Sequence, residues 1–460
     1  MSDQPNDNHF ILDKSVLKKY FEEGCKPKEK WGIGAEYENF LFSLETNKPI
    51  SYAGPTSIST LFENLIDRFG WIAIRENKLI IGLKRGDSNI SLEPGGQFEL
   101  SGAVFSSVHE VEKEMQSFIR EMKILTNELK IGFFSLGAAP TWSLKDMPVM
   151  PKDRYKSIMA PYMKKVGRYG LDMMFRTCTI QVNLDYSSEK DMARKVKIGC
   201  SLQPFATAMF ASSPFFGNRD TGYESWRANI WKQTDPKRTG IPKFIFNEGL
   251  GFSDWVEFAL DVPMYFIKRN KKYLNLTGES FRDFLSGNLK SIPGEKPLYS
   301  DWINHLTTIF TDVRLKSFIE MRGADGGPSY NVTALAAFWT GLLYDTEALD
   351  NILKLTENWN WEEINSLNED VCKLGLNAKF RGKRIWGLTE EILEISALGL
   401  RNRNFKENSL DESIFLSPLQ KLLKTRISLP RSLRDYFDSK DNKKIQDIFE
   451  EFTFYQGFQN

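Results

Sequence analysis

An α+β fold is predicted, because strand signals crowd the first two-thirds of the chain and helical ones fill the last third, with no regular βαβα alternation between them. The first clear strand runs from Trp31 to Phe42, with Ile33, Tyr37, Phe40, Leu41 and Phe42 placing apolar residues on both faces. Pro94-Gly95 suits a tight turn, because proline presets one central residue and glycine accepts a positive φ. Val108, Val111, Met115, Ile119, Met122 and Leu129 recur at helical spacing, which predicts a helix over Val108 to Lys130. Ile131 to Leu136 then reads as a strand. Thr177 to Asp185 alternates polar and apolar residues and reads as another. A helix capped by Ser187 or Ser188 follows it, with Pro204 ending or kinking that helix. The apolar run around Val332 to Leu343 falls short of the ~20 residues a bilayer span needs and reads as a buried helix. From there the chain is helical through Thr389 to Asn402 and on to its end. No Pro/Gly-rich linker divides it, so the expected organisation is one catalytic unit over 31–460, preceded by an extension over 1–30 that carries a short helix.

Bulk properties narrow the function by exclusion. A chain of 460 residues buries a large core without disulfide or metal staples. The net charge is +1, with acids and bases interleaved, which gives no footprint for nucleic acid or an anionic membrane. The basic stretch from Lys421 to Lys444 carries acids among its bases and reads as a solvated helical surface. Met1 to His9 lacks the basic start and apolar run of a signal peptide, and the four scattered cysteines form no C-x-x-C pair. A cytoplasmic protein with reduced thiols is therefore expected. Three histidines are too few for a histidine-rich metal site. His109 opens a helix, and a structural hydrogen bond is expected for His305. There is no P-loop and no G-x-S-x-G elbow, and Gly95-Gly96 and Gly326-Gly327 make no dinucleotide fingerprint.

The chemistry sits in carboxylates placed on strands. In Gly34-Ala-Glu36-Tyr-Glu38, two glutamates two residues apart share one strand face, where their charges repel unless a cation or water intervenes. Beyond the turn of Ser91-Leu-Glu93-Pro-Gly-Gly, residues Gln97, Glu99 and Ser101 share a face. This second segment also reads as a plain hairpin with exposed acids. Glu320 and Arg322 share a face in Phe318-Ile-Glu320-Met-Arg322-Gly-Ala-Asp325-Gly-Gly, either as an ion pair or as a metal ligand beside a bidentate anion clamp. Thr177, Thr179, Gln181, Asn183 and Asp185 make one polar strand face. Arg176 is out of phase with it, and Cys178 reads as a small buried hydrophobe. Oxygen-rich sites of this kind suit Mg2+ rather than zinc.

These same strings, together with Trp231-Lys-Gln-Thr-Asp-Pro-Lys-Arg238-Thr-Gly, Ala259-Leu-Asp-Val-Pro-Met-Tyr and His305-Leu-Thr-Thr-Ile-Phe, resemble glutamate–cysteine ligases of the plant and proteobacterial type. The resemblance runs in order from about Trp31 to about Tyr344 and more weakly beyond. It implies a fold like the glutamine synthetase catalytic domain, a curved, mostly antiparallel sheet with outer helices. It also implies an ATP-dependent ligase that joins L-glutamate and L-cysteine into γ-glutamylcysteine through a γ-glutamyl phosphate, the first step of glutathione synthesis. By position in the matching motifs, Glu36, Glu38, Glu93, Glu99, Asn183 and Glu320 would carry Mg2+. Arg322, Arg176 and Arg227 would hold a phosphate or a substrate carboxylate, and Lys84 and Arg238 would reach nucleotide phosphates. The partners implied are the small molecules L-glutamate, L-cysteine and ATP, with no nucleic acid or membrane, and a monomer or weak homodimer. Plant members carry regulatory cysteine pairs at positions falling near Glu112, Thr333, Leu276 and Ser291, so redox switching of that kind is not expected. Two other readings stay open: a sister ligase that accepts another amine, and a nucleotide-binding regulator without catalysis.

Overall fold

A computed structural model describes residues 9–449 apart from 12, 271 and 443. Its centre is a sheet whose strands are β1 (Ile33–Ser43), β2 (Ile72–Glu76), β3 (Leu79–Arg85), β4 (Ser88–Leu92), β5 (Phe98–Ser101), β6 (Ile131–Phe134), β7 (Ile180–Leu184), β8 (Val313–Leu315) and β9 (Ile319–Met321). The order across the sheet is β8-β9-β7-β1-β5-β4-β3-β2, with β6 paired to the far end of β1. Every pairing in it is antiparallel. Helices lie mainly in the second half of the chain, so the α+β class holds.

The sheet separates an apolar face from a polar one. On the apolar face Ile33, Ala35 and Tyr37 of β1 sit opposite Leu184, Val182 and Ile180 of β7, and all are buried. The helix Ser329–Leu343 packs against β1 and β7, and the helix Val108–Leu129 packs against β1. The first of these is buried on nearly every side, which explains the unbroken apolar run in its sequence. The second is held at its start by a capping box: Ser107 Oγ accepts from the Glu110 amide while the Glu110 carboxylate accepts from the Ser107 amide.

Several local expectations are met, and three shift. Ser188 is the cap of the helix Glu189–Met209, but Pro204 does not end it: the helix continues to Met209. The β4–β5 turn closes with Gly96 N–H donating to Glu93 O at 2.9 Å, and the positive φ of 83° falls on Gly96 rather than Gly95. Gly95 is needed for a different reason, since a Cβ there would lie 2.4 Å from the Phe175 carbonyl oxygen. Arg176 ends the short helix Gly170–Arg176, and the strand expected from Thr177 begins at Ile180. His305 is buried with Nε2 2.8 Å from Ala259 O, the structural bond expected of it. No helix among the described residues is long and apolar enough to cross a membrane.

Candidate active site

Cross-strand register assembles the polar face. Glu320 of β9 sits opposite Asn183 of β7, Gln181 opposite Glu36 of β1, and Glu38 opposite Glu99 of β5. Asn183 also faces Gly34, whose missing side chain leaves room beside it. Glu93 enters from the β4–β5 turn.

The carboxylates fall into two electrostatic environments. Glu36, Glu38 and Glu99 have neutral hydrogen-bond partners: Asn183 Nδ2 donates to Glu36 at 3.0 Å, Thr179 N–H to Glu38 at 2.9 Å, and Ser91 and Ser101 hydroxyls to Glu99 at 3.0 Å each. Burial, then the charges of Glu320 and Glu99, push Glu36 up to about 7. Burial, then Glu99 and Glu93, raise Glu38 well above the usual carboxylate range. Burial, then Glu93, raises Glu99. Glu320 is the opposite case. Arg314 Nε and Arg322 Nη1 lie 2.6 and 2.8 Å from its Oε2, with Lys316 Nζ 3.7 Å from Oε1, and these cations outweigh burial to hold it ionised.

The arginines also divide. Arg322 Nη1 donates to Gln181 Oε1 at 2.5 Å as well as to Glu320, which keeps it on the polar face. Arg227 is buried on the helix Trp226–Lys232, with Nη2 donating to Arg322 O at 2.9 Å and Nη1 to Gly323 O at 3.4 Å. Its Nε is buried without a partner. Arg227, Trp231, Lys232, Phe310, Asp312 and Arg322 line a cleft of about 30 Å3. That volume holds a water or two. Arg176 has partners of its own: it pairs with Asp172 at 2.7 Å and stacks 3.6 Å from the Phe216 ring centre. Arg238 is fully buried and donates to Asp235, Thr308 O and Pro263 O, which makes it a brace between loops. Lys84 is exposed on β3, with two strands between it and Glu36 on β1.

Whether these residues fit Mg2+ is a question of donors. Glu36, Glu38 and Glu99 supply oxygens whose negative charge nothing cationic at hydrogen-bond distance offsets, and Asn183 Oδ1 is buried without a partner. An all-oxygen set with an orphaned carbonyl suits a hard cation. Against this, among the described residues no three His, Cys, Asp or Glu side chains are arranged to hold a metal ion between them. Glu320, already held by three cations, fits the part least.

The sequence reading gave no role to three residues of this neighbourhood: Arg314, Lys152 and Asp325. Arg314 was readable in principle, since a hairpin through Val313 to Met321 puts it directly across from Glu320. Lys152 sits in a loop with no periodicity. Its ammonium donates to Leu92 O at 2.7 Å, and burial lowers its pKa to about 8.

Fold and face together define a class of site in which buried carboxylates are set beside arginines suited to anions. The sequence model of glutamate–cysteine ligase family 2 matches residues 32–451. Glutamate–cysteine ligase B, chloroplastic, of Oryza sativa subsp. japonica is 47% identical over 443 residues, 96% of this chain and 88% of that protein. The chloroplastic glutamate–cysteine ligase of Medicago truncatula is 47% identical over 96% of this chain and 85% of its own. That of Arabidopsis thaliana is 45% identical over 96% and 83%. The chain belongs to the glutamate–cysteine ligase family. A solved glutamate–cysteine ligase from Francisella tularensis, in complex with AMP, superposes with a TM-score of 0.54 at 11% identity, covering 93% of this chain and 89% of that one. At that identity the likeness is one of fold. The comparison corrects the expected location: these relatives are named as chloroplastic proteins, which overturns the cytoplasmic expectation.

Proposed function

We propose that the chain is an ATP-dependent ligase that joins L-glutamate to L-cysteine, forming γ-glutamylcysteine as the first step of glutathione synthesis. Membership of a family whose named members are glutamate–cysteine ligases, matched along nearly the whole chain, supports this. The observation that carries the chemistry is the division of one sheet face into a cation-poor carboxylate group and a cation-rich arginine group. Joining a carboxylate to an amine needs an activated acyl group. A γ-carboxylate oxygen of glutamate attacks the terminal phosphorus of ATP and ADP leaves. The cysteine amine then attacks the acyl phosphate and inorganic phosphate leaves. Both reactants of the first step are anions, so the site must neutralise and align them.

In this reading Glu36, Glu38, Glu93, Glu99 and Asn183 would hold Mg2+, which when bound would supply charge neutralisation on the phosphates. Glu320 acts chiefly through its ion pairs, fixing Arg314 and Arg322 so that Arg322 presents a rigid cation to the transferred phosphoryl group. Arg227 holds a substrate anion at the neighbouring cleft. The wholly antiparallel central sheet supports the glutamine synthetase-like description. The helix Lys14–Glu22 buries Leu17 and Phe21 in the main core, which supports treating 1–30 as an arm of one catalytic unit over 31–460. The reading keeps the chain as a monomer or weak homodimer. The deciding experiment is product identification with glutamate, cysteine and MgATP. γ-Glutamylcysteine formed with one ADP per product is expected, and a preference for a non-thiol amine would reassign the substrate.

A further inference from the structure

Asp325 is fully buried at the end of the Glu320 motif, outside every role assigned above. Three donors converge on it. Ser212 N–H and Ser213 Oγ donate to Oδ2 at 2.9 and 2.6 Å, and Ser225 Oγ donates to Oδ1 at 2.6 Å. A Cβ on Gly137 would lie 2.4 Å from this carboxylate, so the backbone is kept bare to admit it.

The two hydroxyls lead to one place. Ser225 caps the helix Trp226–Lys232, its Oγ accepting from Ala228 N–H at 3.0 Å. Ser213 Oγ accepts from Arg227 N–H at 3.1 Å. Each serine is thus a relay: its proton is aimed at Asp325, and its lone pair at the first turn of the helix that carries Arg227. A carboxylate accepts only, so it fixes the direction of both hydroxyls. The other end of Arg227 is anchored in the same segment, on the carbonyls of Arg322 and Gly323. Burial opposes the Arg227 charge, and Asp325 is foremost among the groups that favour it, ahead of Glu38. Asp325 also pairs by a backbone bridge with Thr179, whose N–H serves Glu38.

We infer that Asp325 is a positioning residue that sets Arg227 through Ser213 and Ser225, and so sets the affinity of the site for the anionic group Arg227 holds. This rests on the proposed ligase reading for the ligand, not for the relay. The anion is a carboxylate or a phosphate, and the two are told apart by whether KM for glutamate or KM for ATP moves.

The test compares Asp325→Asn, Ser213→Ala and Arg227→Lys with wild type and with the double variant Asp325→Asn/Arg227→Lys. Asp325→Asn should raise the same KM that Arg227→Lys raises, by ~10- to 100-fold, with kcat changed far less. The double variant should be no worse than Arg227→Lys alone. Ser213→Ala, which removes one hydroxyl and leaves the carboxylate, should move that KM in the same direction, and it keeps the test open if Asp325→Asn folds poorly. Hydrogen exchange of the peptide over 226–232 gives an arm independent of turnover, and Asp325→Asn should speed exchange there by ~10-fold before it does so elsewhere. Additive effects on KM, or exchange at 226–232 no faster than in the rest of the fold, would overturn the inference. If wild type makes no γ-glutamylcysteine, the ligase reading fails while the exchange arm still decides the relay.

Discussion

Arg314 and Glu320 face each other across the β8–β9 hairpin, with Nε 2.6 Å from Oε2. Arg322 and Lys316 close on the same carboxylate, so one buried anion is matched by three cations. Removing it leaves those cations buried without a counter-charge, which is far more damaging than losing a surface pair. Glu320→Gln should therefore destabilise the fold by ~3–5 kcal/mol in denaturant unfolding and abolish most activity. The Mg2+ dependence of whatever activity remains should change little. A large shift in Mg2+ requirement with stability intact would make Glu320 a metal ligand instead.

Glu36 predicts the converse. Its carboxylate is buried beside other acids, and burial with those charges raises its pKa to about 7. Glu36→Gln keeps the shape and the contact with Asn183 while removing a charge that burial and the neighbouring acids disfavour. Thermal stability without Mg2+ at pH 8 should hold or rise. Catalysis should fall ~100-fold or more, and Mg2+ should stabilise the variant less than wild type. A variant with near-normal turnover would remove Glu36 from the site.

The antiparallel sheet and its faces were legible because a two-residue period survives in single strands. Glu36 with Glu38, Glu320 with Arg322, and Gln181 with Asn183 all lie where alternation puts them. Function within a face was not legible. Whether Glu320 faces a metal or three cations depends on Arg314 and Lys316 folding back over it. The settings of Arg176 and Arg238 were not legible for a related reason. A conspicuous arginine in a motif string can be a brace, and only its partners, Asp172 for one and Asp235 for the other, reveal that. Asp325 lay unread inside a motif already quoted, because its partners come from residues about 100 positions earlier in the chain.

Thr333 Oγ1 donates to Glu112 at 2.5 Å, joining the helices Ser329–Leu343 and Val108–Leu129 without a covalent bond. All four cysteines are free thiols, and Cys178, Cys200 and Cys372 are buried. Activity should be the same after treatment with dithiothreitol or with oxidised glutathione. Thr333→Ala should lower stability by ~1 kcal/mol. A several-fold activity change on reduction would expose a thiol switch through Cys25 or an opened core.

Arg434 ties the helix Leu429–Ser439 to the loop that leads into Ser225. It donates to Asp220, Glu224 and Tyr223 O, with the Glu224 contact at 2.6 Å. Ser428 adds a second bond to Glu224 at 2.7 Å. Arg434→Ala should loosen this loop, speeding hydrogen exchange over 218–226 and raising KM a few-fold, with global stability lowered by ~1–2 kcal/mol. Unchanged exchange in that loop would show that the helix only covers it.

His305 gives the pH dependence with the simplest sign. It is buried beside Phe281, and burial pushes its pKa down from 6.5 to about 4. Between those values the unfolded chain takes up a proton that the folded chain refuses. Stability therefore falls as pH drops from about 6.5 to about 4, by at most ~1.4 kcal/mol per unit from this group, and the effect is flat above that window. His305→Gln can still donate to Ala259 O but cannot titrate. Wild type should be the more stable form at pH 8, and its advantage should shrink toward pH 4 in parallel urea titrations. A wild-type advantage that stays constant from pH 8 to pH 4 would mean that the imidazole takes its proton in the folded state as readily as in the unfolded one.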